Sequence, residues 1–330
     1  MKRVLVTGGA GFIAHHLILM ILETTDWEII SLDRLDFSGN LNRLYDILLE
    51  SPHKSRVKIV YHDLKAPINP MVSSDIGKVD YILHLAAGSH VDRSIEYPLE
   101  FVMDNVVGTC NILDFARTQD LIRFIYFGTD EVFGPAPTGV SYRENDRYNS
   151  TNPYSASKAG GEELAVSFQN TYGVPVYITH TMNVFGQRQH PEKFIPMCIK
   201  RIRDGQVVTI HSDETKTIPG SRHYIHAEDV SDAIMFLLSY ESNEKCPKFN
   251  IVGTEELNNL QLAQIIADIQ GKELNYEMVD FHTSRPGHDL RYSLCGEKMK
   301  SLGWEPKNIR DRIEEVVDWT LDNERWISML

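Results

Sequence analysis

Short apolar runs alternate with amphipathic stretches through the first half of the chain. RVLVT (3–7), WEIISLD (27–33), RVKIVYHDL (56–64), VDYILHLAA (79–87) and LIRFIYFGT (121–129) read as strands. Their β-branched residues run on with little polar interruption, the pattern of strands buried on both faces. Between and after them, AHHLILMILET (14–24), PLEFVMDNVVGTCNILDFART (98–118) and YSASKAGGEELAVSFQNTY (154–172) have helical spacing, and VPVYITHTMNVFG (174–186) adds a strand and a loop. Strand–helix alternation predicts right-handed crossovers and a doubly wound parallel α/β sheet.

Past residue 184 the pattern loosens. Segments 192–205, 227–240 and 259–271 read as helices, 248–253 as a strand, and 211–224 is polar and turn-rich. The expected division is a dinucleotide-binding domain over 1–183, with 223–252 returning to it. A smaller substrate-binding cap is expected from 184–222 and 253–330.

The 330 residues carry a net charge of −13, which disfavours nucleic acid or an anionic membrane as the main partner. The cysteines Cys110, Cys198, Cys246 and Cys295 form no C-x-x-C pair, so neither a disulfide frame nor a metal site is expected. Gly8, Gly11 and His15–His16 interrupt the apolar N-terminus, and no run reaches membrane-spanning length. A cytoplasmic protein is the resulting expectation.

Gly8-x-x-Gly11-x-x-Ala14 lies between the first strand and its helix. Gly8 permits a tight turn. Gly11 lets a pyrophosphate reach the helix N-terminus, where N–H groups and the dipole favour anions. Asp33 ends the second strand, placed to accept bonds from ribose hydroxyls and to repel a 2′-phosphate. That favours NAD over NADP, with Arg34 next door pulling the other way. Asp63, after the third strand, is placed to meet the adenine amino group or to serve as a turn residue.

Tyr154 and Lys158 stand at i, i+4 on one helix face. The ammonium is expected to lower the phenol's pKa, making Tyr154 a base for a hydroxyl proton. With 14 tyrosines, roughly one Y-x-x-x-K match arises by chance, so its position after the glycine turn carries the weight. Asp130 and Glu131 follow the strand ending in Thr129, at the carboxyl edge where α/β sheets bind ligands. Read alone they are a solvated turn. Beside Tyr154 and Lys158 they form a coupled pair able to supply an acid and a base together, which suggests elimination.

These residues resemble the extended short-chain dehydrogenase/reductases, and within them the nucleotide-sugar 4,6-dehydratases of the dTDP-glucose type. The matching stretches are VTGGAGFIA, LDRLDFSGNL, HLAAGSHVDRSI, GTDEVFG, NPYSASKAGGE, PEKFIP and SRPGHDLRY. The resemblance implies a Rossmann domain binding NAD through Gly8, Gly11, Phe12, Ile13, Asp33, Arg34, Asp63, Leu64, Leu85, Ala86, Ala87, Tyr154 and Lys158. It implies Tyr154 as the base at the C4 hydroxyl, Glu131 as the base at C5, Asp130 as the acid at C6, and Thr129 orienting the C4 oxygen. The product would be a 4-keto-6-deoxy sugar, made for deoxysugar biosynthesis. The substrate, a dTDP- or UDP-hexose, would meet Ser89, Thr129, Asn183, Lys193, Arg222, Asn259, Arg285 and His288. Arg222 and Arg285 suit bidentate diphosphate contacts.

Three departures stand out. Gly88 replaces the usual Glu, SRHY (221–224) replaces Arg-Asp-Trp, and the loop 210–220 differs from the usual glycine-containing one. Base and sugar therefore stay open. So do a 4-epimerase or decarboxylase of the same fold, a 5,6-dehydratase that omits the final reduction, and an NAD-binding protein without chemistry. Relatives commonly form homodimers through the Tyr154 helix, where Leu164, Val166 and Phe168 are candidates for the interface or for the core.

Overall fold

The computed structural model describes residues 1–36, 38–49, 51–281 and 289–328. Its first half runs β1 (Arg3–Thr7), α1 (Phe12–Thr24), β2 (Glu28–Asp33), α2 (Leu41–Leu49), β3 (Val57–Tyr61), α3 (Pro70–Ile76), β4 (Tyr81–His84), α4 (Val91–Glu96), α5 (Pro98–Val102), α6 (Gly108–Ala116), β5 (Arg123–Thr129), α7 (Pro153–Tyr172) and β6 (Val176–Thr181). The second half adds β7 (Val184–Phe185), α8 (Phe194–Arg203), β8 (Val208–Ser212), β9 (Ser221–His223), β10 (Ile225–His226), α9 (Ala227–Ser239), β11 (Lys248–Ile251), β12 (Glu256–Asn258), α10 (Asn259–Ile269) and β13 (Tyr276–Asp280).

Seven strands pair in the order β11-β6-β5-β4-β1-β2-β3, all parallel. This is the doubly wound sheet expected from the alternation. β1 shows why both faces need cover: Val4 and Val6 join a core with Leu17, Ile18 and Ile21 of α1 and Ile234 and Leu237 of α9. Leu5 points the other way, into a core with Ile112 and Leu113 of α6 and Ala165 and Phe168 of α7. A third core joins Ile195 and Ile199 of α8, Val208 and Ile210 of β8, and Leu262 and Ile266 of α10 to Ile313 and Val317 of the helix Ile309–Asp322.

Three differences from the sequence reading have physical causes. β4 stops at His84, because Leu85–Ala87 leave the ladder to line a cleft. The single helix expected over 98–118 is divided: a widened π turn, Met103–Val107, separates α5 from α6. The helices α2 and Ile309–Asp322 were not anticipated, although Asn308 caps the latter through its bond from the Arg310 N–H. No described helix is long and apolar enough to cross a membrane.

The chain turns back between β3 and β4, so β2 and β4 lie on opposite sides of β1. The crevice this leaves at the strands' carboxyl ends is where such sheets bind ligands. Ile18 is fully buried between α1 and the sheet, whereas Met71 is 81% exposed. Ile18→Ala should therefore cost about 2–5 kcal/mol in urea unfolding, and Met71→Ala within about 0.5 kcal/mol of zero.

Candidate active site

At the crevice, Gly8 has φ +69°, and a Cβ there would lie 2.9 Å from the Ala86 N and Cα. Gly11 caps α1 with no side chain, and a Cβ there would strike the Gly8 carbonyl at 2.7 Å. Bare backbone thus opens the helix N-terminus, with Phe12 and Ile13, onto a cleft of about 400 Å³. Leu64, Leu85, Ala86 and Ala87 also line it. Such a cradle suits a dinucleotide pyrophosphate.

Asp33 sits at the cleft wall and is 7% exposed. Its Oδ2 accepts from the Ala10 N–H at 3.0 Å and its Oδ1 from the Leu35 N–H at 2.7 Å. Each oxygen keeps a further lone pair for a ligand hydroxyl. Burial pushes its pKa up, and the two N–H groups oppose that. Arg34 next door is bonded to Asp36, Asp63 and Asp104.

β5 delivers the chemistry. At its end Thr129 donates to Asp130 Oδ1 at 3.1 Å, and its hydroxyl lies close to that of Tyr154. A 3₁₀ turn over Asp130–Phe133 then carries both carboxylates inward. Burial, the largest cause, lifts Asp130 to about 6 and Glu131 to about 7, and the Asp130 charge raises Glu131 further. Arg222 opposes both shifts. Asn152 donates to Glu131 Oε2 at 3.2 Å, which favours a charged Glu131. Asp130 Oδ2 is buried without a hydrogen-bond partner among the described residues, so a proton fits there. Protonating Asp130 removes the charge that raises Glu131. Thr129 and two backbone N–H groups favour a charged Asp130 as Asn152 favours a charged Glu131, so the two carboxyls titrate as a pair, with Asp130 Oδ2 the position open to a shared proton.

Tyr154 opens α7 directly behind the cap Asn152 and Pro153, whose missing N–H suits the first helical position. Its ring meets Phe101 edge-on, and its N–H donates to Ser94 at 3.1 Å. The expected lowering of the phenol by Lys158 is not found. Burial pushes Tyr154 well above its usual value, Glu131's charge adds to this, and the nearby Thr129 hydroxyl opposes it. The Lys158 ammonium instead donates to the Phe127 carbonyl at 2.6 Å, and burial lowers it to about 7.

One turn further, Glu162 raises Lys158. Burial alone would push Glu162 up, but His180 (3.0 Å) and Lys248 (2.7 Å) outweigh it and hold the carboxyl at about 2. The Tyr148 hydroxyl also donates to Glu162.

Ser89, Thr129, Asn183 and Lys193 line the cleft. Arg222 and Asn259 are not among its described walls. Arg222 donates to the carbonyls of Ser221 (2.7 Å), Leu290 (2.7 Å) and Asp289 (2.5 Å) and stacks over Tyr292. Three of its N–H groups are thus committed away from a diphosphate. Asn259 Oδ1 accepts from the Tyr224 hydroxyl at 2.7 Å. Arg285 and His288 lie outside the described residues. Among the described residues no group of three His, Cys, Asp or Glu is placed to hold a metal ion.

Residues 4–252 match the model of the NAD dependent epimerase/dehydratase family. The chain belongs to that family. It is 36% identical over 97% of its length to the low-salt glycan biosynthesis protein Agl12 of Haloferax volcanii, covering 99% of that protein. It is 34% identical over 98% of its length to the dTDP-D-glucose 4,6-dehydratase of Mus musculus, covering 89% of it. Among solved structures, DesIV, a dTDP-glucose 4,6-dehydratase from Streptomyces venezuelae with NAD bound, superposes with a TM-score of 0.87. That likeness is at 33% identity and covers 98% of each chain.

Within this NAD-dependent family, two residues missed in the sequence support the site. Asn152 both caps α7, accepting from the Ser155 N–H at 2.8 Å, and holds Glu131. The dipeptide Asn-Pro ahead of Tyr154 is an N-cap signal that could have flagged it. Asn105 accepts from the Gly88 N–H at 2.8 Å and donates to Ser157 at 2.8 Å, joining the loop after β4 to α7.

The raised carboxyls have a signed consequence. The folded state holds more protons than the unfolded one from near pH 4 up to about 7, so stability falls as pH rises through that window. Asp130→Asn removes a buried charge and should raise the melting temperature by a few degrees at pH 8. At pH 5 the gain should largely vanish, and thermal melts at the two pH values check it.

Proposed function

We propose that the protein dehydrates a nucleoside-diphosphate hexose, with dTDP- or UDP-hexose the favoured class, to the 4-keto-6-deoxy sugar. The observation that carries this reading is the Asp130–Glu131 pair, Asp130 buried and Glu131 half-buried, sharing one cleft with Tyr154, Lys158 and the glycine turn. Its likeness to the 4,6-dehydratases, which act on dTDP-glucose, supports the same reading.

Gly8, Gly11, Phe12 and Ile13 would hold the coenzyme's phosphates, Asp33 a ribose, and Lys158 the nicotinamide end. When bound, NAD accepts a hydride from C4 and returns it to C6, and its positive ring favours the Tyr154 phenolate. Tyr154 takes the C4 hydroxyl proton while Thr129 orients that oxygen. The C4 ketone so formed makes the C5 proton acidic enough for a carboxylate. Glu131 removes it, and Asp130 gives its proton to the C6 hydroxyl, which leaves as water. After exchange of its proton with water, Glu131 later reprotonates C5. Thr129, bonded to Asp130 and close to Tyr154, offers the route by which the C4 hydroxyl proton reloads Asp130.

Lys193, at the N-cap of α8, with Ser89 and Asn183, would hold the sugar diphosphate. The reading extends to a cytoplasmic homodimer. Ile95, Tyr97, Leu99 and Val102 expose apolar surface beside α7, and Leu164 and Val166 are half-buried there. Phe168 packs into the core instead, against Tyr172.

Incubating the purified protein with dTDP-glucose, UDP-glucose, UDP-GlcNAc and a GDP-hexose should yield a 4-keto-6-deoxy product from at least one, read by mass spectrometry and NMR. No such product across the panel, with NAD bound, would defeat the proposal. An unsaturated product would mark a 5,6-dehydratase. Asp130→Asn should slow turnover by roughly 10²–10⁴-fold, the usual worth of a general acid. Full turnover in that variant would instead favour an epimerase or decarboxylase, which need no acid at C6.

A further inference from the structure

Arg34 follows the ribose-binding Asp33 directly, where a free guanidinium would accommodate a 2′-phosphate. Here it is not free. Its Nε and one Nη donate to Asp36, the first at 2.7 Å. The two Nη atoms grip Asp104 in a fork at 2.5 and 2.8 Å, and one also reaches Asp63 at 3.4 Å. All five N–H donors of the side chain are thereby given to carboxylates. The Asp104 bond is the largest cause holding Arg34 well above its usual range.

Asp104 comes from the widened π turn between α5 and α6, 70 residues along the chain. Its side chain is 10% exposed at the cleft wall. Space for it is left by Gly88, where an added Cβ would lie 3.2 Å from Asp104 Oδ2. We infer that Asp104 is a coenzyme-specificity residue: by occupying the Arg34 fork it withholds that guanidinium from a 2′-phosphate and sets a second negative charge in its place. Asp33 then does not act alone in excluding NADP. The fork also fixes Arg34 across the adenosine end, between the loops that follow β2 and β3.

The inference rests on the family's use of NAD and not on the dehydration, so coenzyme binding tests it whatever the sugar chemistry. The holoenzyme is challenged with increasing NADP⁺, and displaced NAD is quantified to give the ratio of the two dissociation constants. Asp104→Asn should lower the NADP-to-NAD ratio at least about tenfold, the equivalent of one charge-assisted hydrogen bond. Adding Arg34→Ala to that variant should restore the ratio. Arg34→Ala alone should leave it within about threefold of the wild type, because the guanidinium is already committed; this holds the test open even if Asp104→Asn does not fold. An unchanged ratio in folded Asp104→Asn would overturn the inference. So would a large rise in Arg34→Ala alone, which would mean Arg34 already serves the 2′-phosphate.

Discussion

Two adjacent carboxyls at the end of β5, Asp130 buried and Glu131 half-buried, are the constraint around which the site is organised. Side by side in water they would both ionise. Taken out of water, neither ionises easily, and each charge penalises the other. What makes the arrangement useful is its asymmetry. Asn152 offers a donor to Glu131, Thr129 and two backbone N–H groups offer theirs to Asp130, and among the described residues Asp130 Oδ2 has no hydrogen-bond partner. One proton is held in a place from which it can be given away, beside a charge that can take another.

The fold supplies that asymmetry from three directions. β5 ends centrally in the sheet, between β4 and β6, so the 3₁₀ turn after it opens into the crevice. α7 starts over the same point because Asn152 and Pro153 begin it there, bringing Tyr154 to Thr129. Behind α7, the buried Glu162 with His180, Lys248 and Tyr148 ties the helix to β6 and β11 and supports a charged Lys158. At the far end of the cleft the same logic of paired charges appears again, with Arg34 enclosed by aspartates. In both places a buried charge is kept only where a partner from a distant element meets it.

Much of this was legible in the chain because it is local. The glycine turn, Asp33 at the end of a strand and the four-residue spacing of Tyr154 and Lys158 follow from periodicities of the backbone, and so does the parallel sheet. What stayed hidden depends on which side chain a remote element presents. Asp104 reaches Arg34 across 70 residues, and Asn152 turns its amide toward Glu131 while capping its own helix. Lys158 looked like a partner for the Tyr154 phenol, yet it reaches back to the Phe127 carbonyl. Arg222, a candidate for the diphosphate, also has three donors given to backbone carbonyls, which the sequence did not reveal. Spacing places such residues near a site, but only packing decides where their donors go.

The central claim is that the pair drives loss of water between C5 and C6, coupled to transfer of hydrogen from C4 to C6. It is tested most directly with a hexose nucleotide carrying deuterium at C4, turned over in ordinary water and followed by NMR. The account predicts that the label leaves C4 and appears at C6 of the 4-keto-6-deoxy product, while a parallel run in D₂O places solvent deuterium at C5. Label returned to C4 with inverted configuration, and C5 unexchanged, would contradict it.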